Sequence, residues 1–321
     1  MQLDRAISEF LRGYFSTHER SQKTKIAYSS DLQQFARHLP PKTVLSAVHA
    51  ALIEEWAEEL KSKKYAPASM RRKMVVLKVF FSYWTRKGAI KESPFWRVSL
   101  SLGRTVQLPR TVTESEIRGL FDQANNALDV PRKGLALATG KTFIASSNVY
   151  RSLRNLAIID LLFATGMRVG ELSALNVEDF EVAESLFRVT GKGGRHRLAF
   201  VVDTSTVTIQ RQHLQARQRL TSTSSALFVN SVGQRLSTQG VANIIATFRK
   251  DAGIERHITP HMFRHTVATL LLRNGVDIRV VQEFLGHASI ATTKRYTHVT
   301  KEHLIKVLRK HHPSLGIRTA S

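Results

Sequence analysis

The sequence predicts a mainly α-helical protein of two domains with one small antiparallel β-hairpin. Three observations predict it. Apolar residues recur at helical spacing from Leu3 to Trp84, the pattern lapses between Ser93 and Val112, and afterwards only one stretch alternates like a strand pair. The domains are expected at 1–100 and 113–321, with 101–112 as a linker carrying Pro109, Arg104 and Arg110.

In the first domain, Leu3, Ile7, Phe10, Leu11 and Tyr14 mark a helix over 3–15, and Ile26, Leu32, Phe35 and Leu39 mark a second over 23–39, ended by Pro40-Pro41. A third helix is expected from Leu45 to Lys61 on Val48, Leu52, Trp56 and Leu60. A fourth runs from Ala68 to Lys87 on Met70, Met74, Leu77, Phe81 and Trp84. These stripes read as core. Arg71, Arg72 and Lys73 open the fourth helix and are candidate DNA contacts, able to grip phosphates or to form an ordinary solvated face.

Past the linker, Thr113 and Glu116 form a capping-box pattern ahead of Ile117, Leu120 and Phe121. Residues 125–150 mix Pro131, Gly134 and Gly140 with Ser and Thr, and read as an insertion outside the core. Helix resumes at 154–164, breaks at Thr165-Gly166, and restarts at Arg168 with Glu171 one turn on, near enough to orient its guanidinium. Leu186 to Thr190 and Arg197 to Val202 flank Gly191-Lys192-Gly193-Gly194, predicting a hairpin with Lys192 at its tip. Further helices are expected over 207–220 and 237–252, and a short tail follows Thr300. The stretch from Thr259 to Tyr296 contains a helix expected to be capped by Thr259 and opened by Pro260. On it His261, Arg264, His265 and Ala268 share one face, opposite Phe263, Val267, Leu270 and Leu271. Taken alone, that is an ordinary capped helix with surface His and Arg.

Charge narrows the partner. With 48 Lys and Arg against 25 Asp and Glu, the net charge is +23, and the pI is about 10.8. The stretches before and after residue 111 both carry the excess, so it is no basic tail. Two basic surfaces around a polyanion suit nucleic acid. No apolar run is long enough to span a membrane and the N-terminus shows no signal-peptide core, so a cytoplasmic, DNA-associated protein is expected. The chain has no cysteine, which removes disulfides, thiolate metal sites and a Cys nucleophile. It also lacks HExxH and any close carboxylate cluster, so no metal and no cofactor are expected.

Breaking a phosphodiester without metal calls for fixed cations on two non-bridging oxygens, a proton for the leaving oxygen and a nucleophile. Arg168, Arg264, Lys192, His261, His287 and Tyr296 supply such a set, Tyr296 being a nucleophile that can act where cysteine is absent. Four segments, ATGMRVGEL (164–172), TGKGGRHR (190–197), TPHMFRHTVAT (259–269) and LGHASIATTKRYTH (285–298), resemble the signature boxes of the tyrosine recombinase (phage integrase-like) family, in a Xer-type layout. Their order and separations are similar too, with 24 residues from Arg168 to Lys192, 26 from His261 to His287 and nine more to Tyr296. KTKIAYSSDLQQFARHL and APASMRRKMVVLKVFFSYW resemble the family's helical, SAM-like core-binding domain.

The resemblance implies a DNA breaking-rejoining fold and a site-specific DNA recombinase. Tyr296 is then the nucleophile, giving a 3′-phosphotyrosyl intermediate. Arg168 and Arg264 hold the non-bridging oxygens, Lys192 protonates the 5′ oxygen, His261 serves as acid/base and His287 bonds the phosphate. Glu171 supports Arg168. A tetramer on two double-stranded sites is implied, homomeric or with a second recombinase, exchanging strands through a Holliday junction for integration, excision or resolution, as mobile elements do. The alternatives are a type IB topoisomerase, a catalytically silent DNA-binding accessory protein and a metal-dependent nuclease. Two features depart from the family pattern: the long 125–150 segment, and a tail of 25 residues after Tyr296. In the tail, Leu304, Ile305 and Leu308 form one apolar side, suited to docking on a neighbouring protomer or on the same chain.

Overall fold

The computed structural model describes residues 1–18, 22–100, 111–136, 148–191, 194, 196–220, 222–286 and 300–317. The chain divides into two compact units, Met1–Gln107 and Leu108–Ser321.

The first unit is built from α1 (Leu3–Thr17), α2 (Gln22–His38), α3 (Ala50–Ser62) and α4 (Pro67–Arg86). Their stripes meet in one core: Phe10, Phe35, Trp56, Leu77, Phe80 and Phe81 are all essentially inaccessible. Aromatic edges lock it, Phe35 against Trp56 at 5.1 Å and Phe10 against Phe80 at 5.3 Å. Two expectations shift. The third helix starts at Ala50, because Val48 and His49 are extended and Leu45–Ala47 forms a separate 3-10 turn that still buries Leu45 and Val48. Ile26, expected in the core, is 60% exposed.

Lys73 needs a larger correction. It is 4% exposed, and its ammonium lies 2.8 Å from the buried Asp31 carboxylate and over the Tyr65 ring. It is therefore a buried structural lysine held inside the first unit, with little surface left to offer a phosphate. Arg72 shares Asp31, donating through Nη2 at 3.0 Å, while 48% of its side chain stays exposed.

The second unit packs α5 (Glu114–Ala136), α6 (Asn148–Thr165) and α7 (Val169–Ala174), then strands β1 (Phe180–Glu181), β2 (Leu186–Thr190) and β3 (His196–Phe200). These are followed by α8 (Thr204–Gln218), α9 (Thr238–Asp251), α10 (Pro260–Arg273), α11 (Ile278–Leu285), α12 (Lys301–His311) and α13 (Ser314–Ile317). Every residue from Leu156 to Thr165 is buried, so α6 is the central helix, mostly apolar, with its buried Asp160 accepting from Thr206 and Gln210. The sheet is antiparallel in the order β1-β2-β3, with Phe180 opposite Phe187 and Thr190 opposite His196. The expected hairpin thus forms, its second strand at His196–Phe200 where 197–202 was expected, with β1 added at its outer edge.

The expected insertion at 125–150 is core at both ends. The stripe Ile117, Leu120, Phe121, Ala124, Leu128 continues unbroken in α5, and Pro131 does not end the helix. Tyr150 is fully buried in α6, and its hydroxyl accepts from the Val229 N–H. Residues 137–147 lie outside the described residues. At the other end of the unit, Val112, expected in the linker, is buried and donates its N–H to Thr266 Oγ1 at 2.7 Å; 101–110 lie outside the described residues. The Thr113 capping box forms, the Thr113 N–H reaching Glu116 at 2.7 Å. Thr259, by contrast, makes no side-chain cap, although Pro260 does open α10.

Candidate active site

Three local devices converge on one place in the second unit. The first is the turn between α6 and α7. Gly166 has φ +56°, and a Cβ there would lie 2.6 Å from Leu285 Cδ2, so glycine satisfies both the left-handed backbone and the close approach. The turn sends Met167 into the core and leaves Arg168 extended at the N-cap of α7, its side chain 45% exposed. Glu171 closes the first turn of α7. One carboxylate oxygen accepts the Arg168 backbone N–H at 3.0 Å and the other its guanidinium at 2.7 Å. Glu171 therefore orients Arg168 through both backbone and side chain, as the spacing predicts.

The second device is α10. Its apolar side, Phe263, Val267, Leu270 and Leu271, is buried as expected. Arg264 is buried as well, at 4% exposure, a depth its place on the polar side does not announce. It donates to the Gly166 carbonyl at 2.9 Å and to the Leu285 carbonyl at 2.6 Å, strapping the α6–α7 turn to the end of α11. Burial, then the neighbouring guanidiniums of Arg168 and Arg197, push its pKa down to about 10, so it remains a cation at neutral pH. His261 stands a turn earlier, exposed, with its ring edge-on to His265 at 4.6 Å. Partial burial, followed by His265, Arg264 and Arg168, holds its pKa below the ordinary histidine range. A neutral imidazole that can take up a proton results.

The third device is the end of α11. Gly286 closes that helix at φ +64°, with its N–H on the Gln282 and Glu283 carbonyls. Against it lies Arg197 of β3. A Cβ on Gly286 would sit 2.3 Å from Arg197 Cδ. Arg197 donates to Glu171 at 2.8 Å and to the Phe284 carbonyl at 3.3 Å.

The structure thus brings Arg168, Glu171, His261 and Arg264 together and adds Arg197, which the sequence reading included in a family box without giving it a role. The signal was its place three residues past Gly194, on the strand that leaves the hairpin tip. Lys192, His287 and Tyr296 lie outside the described residues; His287 follows Gly286 in the chain, and Lys192 belongs to the connection between β2 and β3. Among the described residues no three His, Asp or Glu side chains group as a metal site, and no helix is long and apolar enough to cross a membrane.

Comparison with known proteins decides the family. Residues 140–303 match the model of the phage integrase family, and residues 7–88 match that of the phage integrase N-terminal SAM-like domain. The chain belongs to the phage integrase family of tyrosine recombinases. A tyrosine recombinase XerC of Thermodesulfovibrio yellowstonii is 34% identical over 95% of this chain and 97% of its own length. A XerC of Listeria innocua is 31% identical over 97% and 98%, and a XerD of Lacticaseibacillus casei 31% over 96% and 98%. The fold is shared with a XerH site-specific recombinase solved on a palindromic difH substrate, with TM-score 0.68 at 21% identity, covering 94% of this chain and 82% of that one. A lambda integrase dimer bound to a core site gives 0.66 at 18% identity, over 93% and 99%. In this tyrosine recombinase, then, the α6–α7 turn and the start of α10 carry the family's first and third boxes.

Proposed function

We infer that this tyrosine recombinase is a site-specific DNA recombinase, cutting and rejoining duplex DNA through a 3′-phosphotyrosyl intermediate. The observation that carries the reading is the pair Arg168 and Arg264, fixed cations beside a neutral His261, in the turn and helix start formed by the family's own boxes. Two such cations suit two non-bridging oxygens of one phosphate, where negative charge grows as a fifth oxygen approaches phosphorus.

In this reading the Tyr296 phenol gives its proton to His261 and its oxygen attacks phosphorus. The bond from phosphorus to the 5′ oxygen breaks as Lys192 delivers a proton to that oxygen, and His287 bonds a phosphate oxygen. The products are a 3′-phosphotyrosine and a free 5′ hydroxyl. Because the phosphotyrosine keeps the bond energy, the 5′ hydroxyl of a partner strand can reverse the step without ATP, metal or cofactor. Strand exchange through a Holliday junction needs two DNA sites and four active sites. We assign the protein to a tetramer, of itself or with a second recombinase, working on DNA in the cytoplasm; integration, excision and resolution are the outcomes such a complex serves. In the first domain, Arg71 and Arg72 remain the proposed phosphate contacts.

The test is a supercoiled plasmid carrying the DNA that flanks the gene, incubated in EDTA and scored for covalent adduct and for exchange. Tyr296→Phe is expected to abolish the adduct with DNA affinity within about threefold of wild type, since the hydroxyl contributes to the reaction and little to binding. Adduct persisting in Tyr296→Phe would remove the nucleophile assignment. Relaxation without exchange would favour the topoisomerase reading, and loss of cleavage in EDTA a metal-dependent nuclease.

A further inference from the structure

Among the described residues Glu171 is the carboxylate that faces the site's three guanidiniums, and two of them hold it. It is 5% exposed and divides its oxygens: Oε1 accepts the Arg168 guanidinium, while Oε2 accepts the Arg168 backbone N–H and Arg197 Nη2. Arg197 is itself pinned. Its other amino group donates to the Phe284 carbonyl, its Cδ lies in the space a Gly286 side chain would fill, and its side chain is only 15% exposed. The carbonyl of the next residue, Leu285, receives Arg264. A single side chain on β3 thereby joins the holder of one candidate phosphate arginine to the helix end that seats the other.

We propose that Arg197 is a positioning residue for strand cleavage, fixing Glu171, and through it Arg168, against the end of α11 that also seats Arg264. The role needs a planar fork. One amino group must face a carboxylate on α7 and the other a carbonyl on α11, and an ammonium on a flexible stem can serve only one of them. The inference rests on the recombinase reading for its reaction but not for its geometry. Arg197 is also the largest influence keeping the Glu171 pKa down against the opposing effect of burial. If it is removed, the carboxyl should take up a proton at higher pH and release one of its two contacts to Arg168.

That gives a readout that needs no DNA. In the full chain with 13C-labelled glutamate, Glu171 is assigned from Glu171→Gln and its carboxyl titration followed by NMR. In Arg197→Met the Glu171 midpoint is expected to move to higher pH. In Arg197→Lys, which keeps the charge but loses the fork, it should stay near the wild-type midpoint. In the adduct assay, Arg197→Met should slow adduct formation by about 100-fold, as misplaced groups do, with DNA affinity nearly unchanged and the acid limb of the rate profile moved up in pH. Arg197→Lys should recover only part of the rate. Gly286→Ala, which drives a methyl into Arg197, should slow the wild-type background much more than the Arg197→Met background. An unmoved Glu171 midpoint, or a wild-type adduct rate in Arg197→Met, would overturn the proposal. A wild type that forms no adduct would sink the recombinase reading instead, and the titration would still decide whether Arg197 holds Glu171.

Discussion

The two arginines proposed to meet the phosphate are held in opposite ways. Arg168 is half-exposed and leans on a carboxylate, whereas Arg264 is buried and donates to two main-chain carbonyls. Arg264→Met should therefore cost about 2 kcal/mol of stability by leaving the Gly166 and Leu285 carbonyls unpaired. Arg168→Met should leave the urea midpoint almost unchanged while abolishing cleavage. Equal losses of stability in the two variants would contradict that division of roles. Lys192, as the proposed proton donor, gives a separate expectation: Lys192→Ala slows cleavage, and a substrate with a 5′-bridging sulfur, which leaves without a proton, restores it. The same rate defect on both substrates would exclude the general-acid role. The boxes that resemble the family's named Arg168, Glu171, His261 and Arg264 as one group, and the structure brings these four side chains together. The sequence could not show that Arg264 is buried, since its partners, two carbonyls at the ends of other helices, have no sequence signature. Arg197 went unassigned for the same reason: its partners come from α7 and α11.

Among the elements, helices with continuous apolar stripes were legible and those judged by single residues were not. Pro131 and Gly134 suggested a loop where the stripe from Ile117 to Leu128 carries α5 on, and Lys73 looked like surface because its partner Asp31 belongs to another helix. The tail was half legible. Leu304 and Leu308 of α12 are buried in the core of the same chain, with Ile305 packed beside them, and Asn274 donates to the His311 carbonyl. Just after α12, His312 is enclosed between Phe163 and Phe284, its Nδ1 accepting the Ser314 N–H. Burial pushes its pKa down to about 4, against 6.5 for a free histidine. The folded protein thus holds it neutral while the unfolded chain protonates it. Its stabilising contribution is complete above about pH 6.5 and is lost as pH falls towards about 4. His213, buried against Phe228 with a pKa pushed down to about 3, adds to the same trend. The thermal midpoint should fall between pH 7 and pH 5, less steeply in His312→Gln; an equal slope in that variant would remove His312 as a cause.

For the whole molecule, charge dominates. A net +23 spread over both domains makes DNA affinity steeply dependent on salt. It should fall by about 1000-fold between roughly 50 and 200 mM salt if six or more phosphates are neutralised. A shallow slope would mean that few of the 48 basic side chains face the duplex.

The crowding of Arg168, Arg197 and Arg264 around one carboxylate has a consequence for the protein off DNA. Off DNA, among the described residues, one carboxylate answers three guanidiniums, and the repulsion left among them works against the fold that gathers them. If the phosphodiester lies between Arg168 and Arg264 as proposed, it adds negative charge there, and the substrate would then help complete the catalytic domain as well as being cut by it. By linkage the domain should melt higher in the presence of DNA. Arg168→Met should show less of that gain, because it offers the phosphate one cation fewer.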